Sequence, residues 1–232
     1  MVIQHMEHEP LGTLTPLLEA AGFSIQNVNF YRNPESGPQI AGCDGLIVLG
    51  GPMGVYEADQ FPHLKVEMAV IESALKKDIP ILGICLGAQL LAHVLGGRVF
   101  KGPQMELGWL DLQVTNEGRK DPLINHYQAT EKIFQLHQDT FTLPSGAHHL
   151  ARSPLFESQA FRYGQKAYGF QFHLEIDQPM VERWLKVPGN KQLIANSAGL
   201  YSAETISRET IQFIPRSLTL AEQTFAKFIE LL

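Results

Sequence analysis

The chain has 232 residues, 44% of them apolar and 18% charged, a composition typical of a globular protein large enough for one α/β domain. Its formal net charge of −6, with Lys and Arg scattered along the chain, argues against a nucleic-acid or anionic-membrane surface. No apolar run approaches the roughly 20 residues of a membrane-spanning helix, and the opening residues lack a secretory signal. We therefore expect a cytoplasmic protein in which Cys43 and Cys85 are free thiols.

In the first half of the chain, short apolar runs alternate with amphipathic helical patterns. Strands are predicted at residues 1–5, 24–30, 45–49 and 79–84, and helices at 11–21, 62–76 and 86–95. Gly22 stands where the first helix should end. The continuous apolar runs are typical of strands buried on both faces of a sheet. Such alternation predicts a mostly parallel sheet with right-handed crossovers.

The second half predicts strands at shorter spacing and then helices. The strands are expected at 109–115, 132–137, 148–153, 159–163 and 167–172, as an antiparallel extension of the sheet. From residue 178 the pattern is helical, most clearly at 218–232, with loops predicted at 187–190 and 213–216. We expect an α/β fold with a mostly parallel central sheet flanked by helices. The whole of 1–232 should form a single domain, with its motifs within 1–190 and a helical C-terminal extension at 191–232.

The stretch Gly83-Ile84-Cys85-Leu86-Gly87 joins an apolar strand directly to a helical pattern, as in a nucleophile elbow. Glycines on both sides suit a tight turn in which a Cβ would clash. At the start of a helix the dipole would favour the Cys85 thiolate, and the N–H of Leu86 could serve an oxyanion. The five residues alone equally allow a buried structural cysteine. Cys43 lacks such a turn and is predicted to be structural.

A thiolate nucleophile needs a proton shuttle, usually a histidine held by a third group. His173 is expected at the end of the strand 167–172, at the sheet edge where reacting groups gather. Glu175, two residues on, should face the same side and orient the ring. The other histidines considered are predicted to be solvated or packing residues: His5, His8, His63, His93, His126 and His149.

Four motifs in order give the chain a family resemblance. They are Leu49–Gly54 (LGGPMG), Gly83–Gln89 (GICLGAQ), Leu136–Asp139 (LHQD) and Phe170–Glu175 (FQFHLE). In this combination the chain resembles the class I (triad) glutamine amidotransferases, whose amidotransferase domains occur in GMP synthetase and carbamoyl phosphate synthetase. It looks like a free-standing member similar to the domain of GMP synthetase. The resemblance implies a flavodoxin-like amidotransferase fold.

The resemblance also implies a reaction, the hydrolysis of glutamine to glutamate and ammonia through a γ-glutamyl thioester. Cys85 would be the nucleophile, His173 the acid and base, and Glu175 its orienter. Backbone N–H groups of Gly51 and Leu86 would form the oxyanion hole. No cofactor and no metal are implied.

The same resemblance assigns substrate binding to Gln89, Gln138 and Asp139, although Gln89 could instead be a helix-surface amide. Two residues depart from the family pattern. Leu174 replaces a proline, which should loosen the geometry between His173 and Glu175. Gln138 replaces a glycine, which should narrow the pocket or change how substrate enters it.

Three functions remain open at this point. The first is a free-standing amidotransferase or glutaminase, whose ammonia would go to a separately encoded synthase, because too few residues follow 190 for a synthase domain. The second is a γ-glutamyl peptide or conjugate hydrolase that uses the same triad. The third is a non-enzymatic binding protein, which the intact Cys, His and Glu set disfavours. None of the three requires a nucleic-acid or membrane partner.

Overall fold

Nine strands and six helices make up the fold in a computed structural model that describes residues 1–232. The strands are β1 (Val2–Gln4), β2 (Asn27–Asn29), β3 (Leu46–Val48), β4 (Ile81–Ile84), β5 (Val99–Val114), β6 (Thr130–Phe141), β7 (His148–Arg152), β8 (Ala160–Tyr163) and β9 (Ala167–Phe170). The helices are α1 (Leu14–Ala20), α2 (His63–Lys76), α3 (Leu86–Val94), α4 (Gln178–Trp184), α5 (Pro188–Ala195) and α6 (Ala203–Ile229). Short 3₁₀ turns occupy Val55–Glu57 and Gly118–Lys120.

All nine strands belong to one sheet, in the order β2-β1-β3-β4-β9-β8-β7-β5-β6. The first five strands of this order run parallel, and their sequence 2-1-3-4-9 has the flavodoxin-like arrangement. The remaining strands pair antiparallel and extend the sheet at one side. The predicted α/β fold with a parallel centre and an antiparallel extension is therefore confirmed.

Helices cover both faces of the parallel strands. Alternate residues of β3 show this, since Ile47 packs in the cluster with α1 and α6, whereas Leu46 and Val48 pack with α2 and α3. Each residue of β3 and β4 is buried, which explains their unbroken apolar sequence. No helix of the chain is both long and apolar enough to cross a membrane.

The predicted loop at 213–216 is wrong, because these residues lie inside α6. Pro215 lacks the N–H that would bond the carbonyl of Ile211 one turn earlier. Ile211 is 68% exposed, so water can satisfy that carbonyl. The opposite face of the helix is buried against the sheet and α4, and this packing outweighs the local cost of the proline.

Other boundaries differ from the sequence pattern. The predicted strand 109–115 is only the end of β5, whose pairing with β6 is interrupted by a register shift between Lys101 and Glu106. The predicted strand 24–30 shrinks to the three residues of β2. The predicted loop at 187–190 is largely helix, since Pro188 begins α5, a position where its missing N–H costs nothing.

Candidate active site

The turn between β4 and α3 holds Cys85 in a strained backbone conformation, with φ +53° and ψ −108°. Its N–H donates to the carbonyl of Phe170 at 2.8 Å, which ties the turn to β9. A Cβ on Gly87 would overlap the carbonyl of Val48, and one on Gly83 would overlap the backbone of Gly87. The two glycines are therefore required by the close approach of the backbone, and left-handed strain at a non-glycine residue is a mark of functional sites.

The sulfur of Cys85 sits at the floor of a cleft. The residue is 6% exposed, and its Sγ lies 3.8 Å from the carbonyl oxygen of Leu136. Leu86 is the first residue of α3, so its N–H has no partner within the helix. The helix dipole at this end favours a negative charge on the sulfur or on a substrate oxygen beside it.

His173 lies three residues beyond β9, where its N–H donates to the carbonyl of Phe134 at 3.0 Å. Its Nδ1 donates to Glu175 Oε1 at 2.7 Å, and both side chains are almost fully buried. The ring also packs edge-on against Trp184, with 4.8 Å between centroids. Leu174, the departure from the family proline, is buried and does not loosen this pair. Nε2 has no hydrogen-bond partner and remains available for proton transfer.

The environment of His173 favours its charged form. Burial lowers the pKa of the ring, but the negative charge of Glu175, the hydrogen bond to it and the neighbouring Cys85 sulfur outweigh burial and raise the pKa well above 6.5. Cys85 and His173 both lie next to Gly50, in the loop that follows β3. The position that a Cβ on Gly50 would take is 3.5 Å from Cys85 Cβ and 3.2 Å from His173 Cε1.

The same loop supplies the candidate oxyanion donor. Gly51 lines the cleft, and its N–H is bonded to no other group of the protein. A Cβ on Gly50 would lie 2.6 Å from Glu9 Oε2, so a side chain at this position would displace the carboxylate of Glu9. The N–H groups of Gly51 and Leu86 are thus both without a partner in the protein, as the candidate donors of an oxyanion hole must be.

A cleft of about 440 Å³ opens above the sulfur. It lies at the carboxyl ends of β1, β3, β4 and β9, the edge of an α/β sheet at which ligands bind. Of the eight residues proposed from the sequence, six line it: Gly51, Cys85, Gln89, Gln138, Asp139 and His173. Leu86 and Glu175 lie directly behind them, where a backbone donor and an orienting carboxylate are needed.

A family model described as glutamine amidotransferase class-I matches residues 13–182 of the chain. The chain belongs to the class I glutamine amidotransferases. It is 29% identical over 200 residues to the glutamine amidotransferase-like protein YfeJ of Salmonella typhimurium, a match that covers 85% of the chain and 83% of YfeJ. It is 32% identical to one subunit of the glutamine-hydrolyzing GMP synthase of Haloquadratum walsbyi, with 74% of this chain and 83% of that one covered. The crystal structure of a glutamine amidotransferase from Thermotoga maritima superimposes with a TM-score of 0.88 at 30% identity, over 99% of this chain and 96% of that one.

The amidotransferase cleft places the candidate substrate residues on two of its walls. Gln89 is buried, so it is not the helix-surface amide considered above. Its Nε2 donates to the carbonyl of Asp139 at 3.2 Å and to Gln171 Oε1 at 3.0 Å, which leaves its own Oε1 free to accept. Gln138 turns its side chain towards the carbonyl of Gly102, with Nε2 at 3.4 Å.

Several residues of the cleft were not predicted from the sequence. Glu9, four residues after His5, lies beside His173, and burial raises the pKa of its carboxyl. Desolvation and the neighbouring Asp139 raise the pKa of Tyr56 to about 12. Lys101 and residues 189, 190 and 193 also line the cleft. Glu9 could have been predicted, because it follows β1 in the sequence and so lies at the same edge of the sheet as Cys85. The start of α5 could not, because no sequence motif there indicates a site.

His5 and His63, predicted to be solvated or packing residues, are buried, and the ring of His63 stacks on Phe30 with 5.0 Å between centroids. Both rings are hydrogen-bonded to the buried carboxylate of Glu67, at 2.7 Å from His5 Nε2 and 2.9 Å from His63 Nδ1. His5 lies directly behind the Gly50-Gly51 loop. Sequence spacing could not show this, because His5 and Glu67 are 62 residues apart.

Proposed function

We propose that this chain hydrolyses the side-chain amide of glutamine to glutamate and ammonia through a γ-glutamyl thioester on Cys85. The observation that carries the proposal is the convergence of Cys85, the hydrogen-bonded His173–Glu175 pair and two free backbone N–H groups at one point of the cleft. Membership of the class I amidotransferase family agrees with it.

In the acylation step the sulfur of Cys85 would attack the amide carbon, and the N–H groups of Gly51 and Leu86 would stabilise the resulting oxyanion. Each such donor contributes roughly 10²–10³ in rate. His173 would pass a proton from Nε2 to the amide nitrogen, so that the C–N bond breaks and ammonia leaves. The product of this half-reaction is the thioester.

In the deacylation step water would lose a proton to Nε2 of His173 and attack the thioester carbon. The C–S bond would then break, releasing glutamate and restoring the Cys85–His173 pair. Glu175 would accept from Nδ1 throughout and keep the proton there, which leaves Nε2 as the reacting nitrogen.

The charges of the cleft suit a free amino acid. Lys101 could pair with the α-carboxylate, while Asp139 and the free Oε1 of Gln89 could accept from the α-ammonium. Tyr56, whose hydroxyl stays protonated at neutral pH, could add a donor. We further propose that residues 1–232 act as one domain, because α5 contributes cleft residues and α6 packs on the sheet.

A second candidate function is the hydrolysis of γ-glutamyl peptides or conjugates with the same triad. The volume of about 440 Å³ favours it, since this is within the range of sites for ligands larger than one amino acid. Gln138 and the start of α5, which line the cleft, would then contact the larger leaving amine. Comparing kcat/KM for glutamine with that for γ-glutamyl dipeptides separates the two candidates. Much slower turnover of glutamine would contradict the first.

Cys85→Ala should abolish glutamate release, whereas the matched Cys43→Ala variant should retain it. A diazo-ketone analogue of glutamine should label Cys85 and spare Cys43, as read by mass spectrometry. Activity retained by Cys85→Ala, or label found on Cys43 alone, would contradict the proposal.

We also propose that the ammonia acceptor is a separately encoded synthase. The basis is the similarity to the Haloquadratum walsbyi protein, which is one subunit of a glutamine-hydrolyzing GMP synthase. Glutamine-dependent activity of a candidate synthase that appears only when this chain is added would identify the acceptor. Activity equally supported by Cys85→Ala would exclude that synthase.

A further inference from the structure

A buried charged cluster lies beneath the Gly50-Gly51 loop. His5 follows β1, and Glu67 and His63 project from the start of α2. The side chains of His5 and Glu67 have no exposed surface, with 2.7 Å between Nε2 and the carboxylate. Nδ1 of His63 reaches the other carboxylate oxygen at 2.9 Å. Nothing in the proposed reaction uses these groups.

The hydrogen-bond partners of His5 determine which of its ring nitrogens carry protons. Nδ1 of His5 lies 2.8 Å from the carbonyl oxygen of Gly50, which can only accept, so Nδ1 must carry a proton. Nε2 faces the carboxylate of Glu67, which favours a proton there as well. Burial lowers the pKa of His5, but the charge and hydrogen bond of Glu67 outweigh it and raise that pKa. The ring atoms of His5 are thus committed to Gly50 and Glu67 rather than to a metal ion, although two histidines and a carboxylate meet here.

The bond from His5 is the only hydrogen bond that the Gly50 carbonyl accepts. All peptide bonds of the chain are trans, so the carbonyl of Gly50 and the N–H of Gly51 lie in one peptide plane and point in opposite directions. Holding the carbonyl towards His5, away from the cleft, therefore turns the N–H of Gly51 into the cleft. Two adjacent glycines have little intrinsic resistance to rotation of the peptide between them. A rotated peptide would aim its carbonyl oxygen at the space of the oxyanion.

We infer that His5 is a positioning residue that, backed by Glu67, locks the Gly50–Gly51 peptide with its N–H directed at the reacting carbonyl. The inference rests on the proposed function, because it assigns a role in oxyanion stabilisation. The lock acts in the transition state, since the donor bonds most strongly to an oxygen that has become negative.

The test uses a matched pair of variants. In His5→Asn the amide nitrogen occupies the position of Nδ1 and can still donate to Gly50, whereas His5→Leu has the same shape and no donor. Both variants lose the bond to Glu67, so the difference between them reports the donor alone. His63→Gln is the control, because His63 shares Glu67 but does not contact Gly50.

Glutamine hydrolysis and alkylation of Cys85 by iodoacetamide are measured on each variant. Alkylation is a direct displacement that forms no oxyanion, so it reports an intact fold and thiol. We expect kcat of His5→Leu to fall about 10²–10³-fold with KM and alkylation unchanged, the loss typical of one oxyanion donor. His5→Asn should recover most of kcat, and His63→Gln should keep the wild-type value.

Equal losses in His5→Leu and His5→Asn, or unchanged kcat in His5→Leu, would overturn the inference. If His5→Leu does not fold, His5→Met fills the space with an adaptable apolar side chain and takes its place. Independently of any variant, nitrogen-15 shifts of the wild-type ring must show a proton on Nδ1 of His5, and an unprotonated Nδ1 refutes the lock. Failure of the proposed function is a separate result, seen as glutamine hydrolysis that does not require Cys85.

Discussion

Replacing Glu175 with glutamine tests the proposed triad most directly. The carboxylate accepts from Nδ1 of His173 at 2.7 Å, and both side chains are buried, so solvent does not screen the pair. Glutamine has the same shape, and its Oε1 can still accept from Nδ1. The Glu175 carbonyl also accepts from the N–H of Thr13 at 2.8 Å, which holds the backbone in place. The substitution therefore removes one negative charge and little else.

The size of the effect follows from the charge-assisted bond. Such bonds are worth about 1.5–3 kcal/mol, and one pKa unit corresponds to about 1.4 kcal/mol. Burial lowers the pKa of His173 and Glu175 raises it, so losing the charge should lower this pKa. The imidazolium that protonates the leaving ammonia is then less stable. We expect kcat/KM for glutamine to fall about 10–100-fold near neutral pH.

The raised pKa of His173 predicts the direction in which the pH–activity profile should shift. A raised pKa keeps His173 protonated at higher pH, so activity of the wild-type chain should persist above 6.5 and decline only as pH rises through the folded-state value. In Glu175→Gln this alkaline limb should move to lower pH, because the pKa of His173 falls. Glutamate release measured with a coupled dehydrogenase gives the profile, and carbon-13 titration of the His173 ring gives its pKa. Glu182→Gln, an exposed carboxylate on α4, is the control. An alkaline limb that stays in place in a folded Glu175→Gln chain would refute the reasoning.

Two further predictions concern the support of the site. Gly12 has φ +55° and a Cβ there would overlap the carbonyl of Glu175, so Gly12→Ala should lower both stability and kcat. Gly22, with φ +85° and open space around it, is the control: Gly22→Ala should cost about 1 kcal/mol in urea unfolding and leave kcat unchanged. Equal kcat in the two variants would contradict this prediction. The pKa of His5 is raised in the folded chain, so His5 contributes stability that is present below pH 6.5 and is lost as pH rises through its folded-state pKa. The pKa of Glu67 is lowered, so Glu67 contributes stability that is present above pH 4.5 and is lost as pH falls through its folded-state pKa. The stability difference between wild type and Glu67→Gln should therefore be largest between pH 4.5 and 6.5, and a difference independent of pH would show that the pair is not ionised.

The parallel half of the fold was predictable because its signals are local. A strand covered on both faces carries no polar side chain, and β3 and β4 have none. The second half was predicted less accurately. Pro215 is a helix-breaking signal within a short stretch of sequence, but the surface that α6 buries comes from strands and helices distant in the chain. Local propensity loses to tertiary packing in such a case.

By itself the sequence determined the order of strands and helices and the tight strand-to-helix turn at Cys85. Both depend on neighbours in the chain: Cys85 needs glycines beside it because the turn brings Gly83 against the backbone of Gly87. Only the tertiary structure decided what surrounds that cysteine. His173 meets it through the pairing of β4 with β9, and His5 reaches the Gly50 carbonyl because β1 lies beside β3. Contacts across neighbouring strands join residues far apart in sequence, and a single sequence carries no periodicity from which they could be predicted.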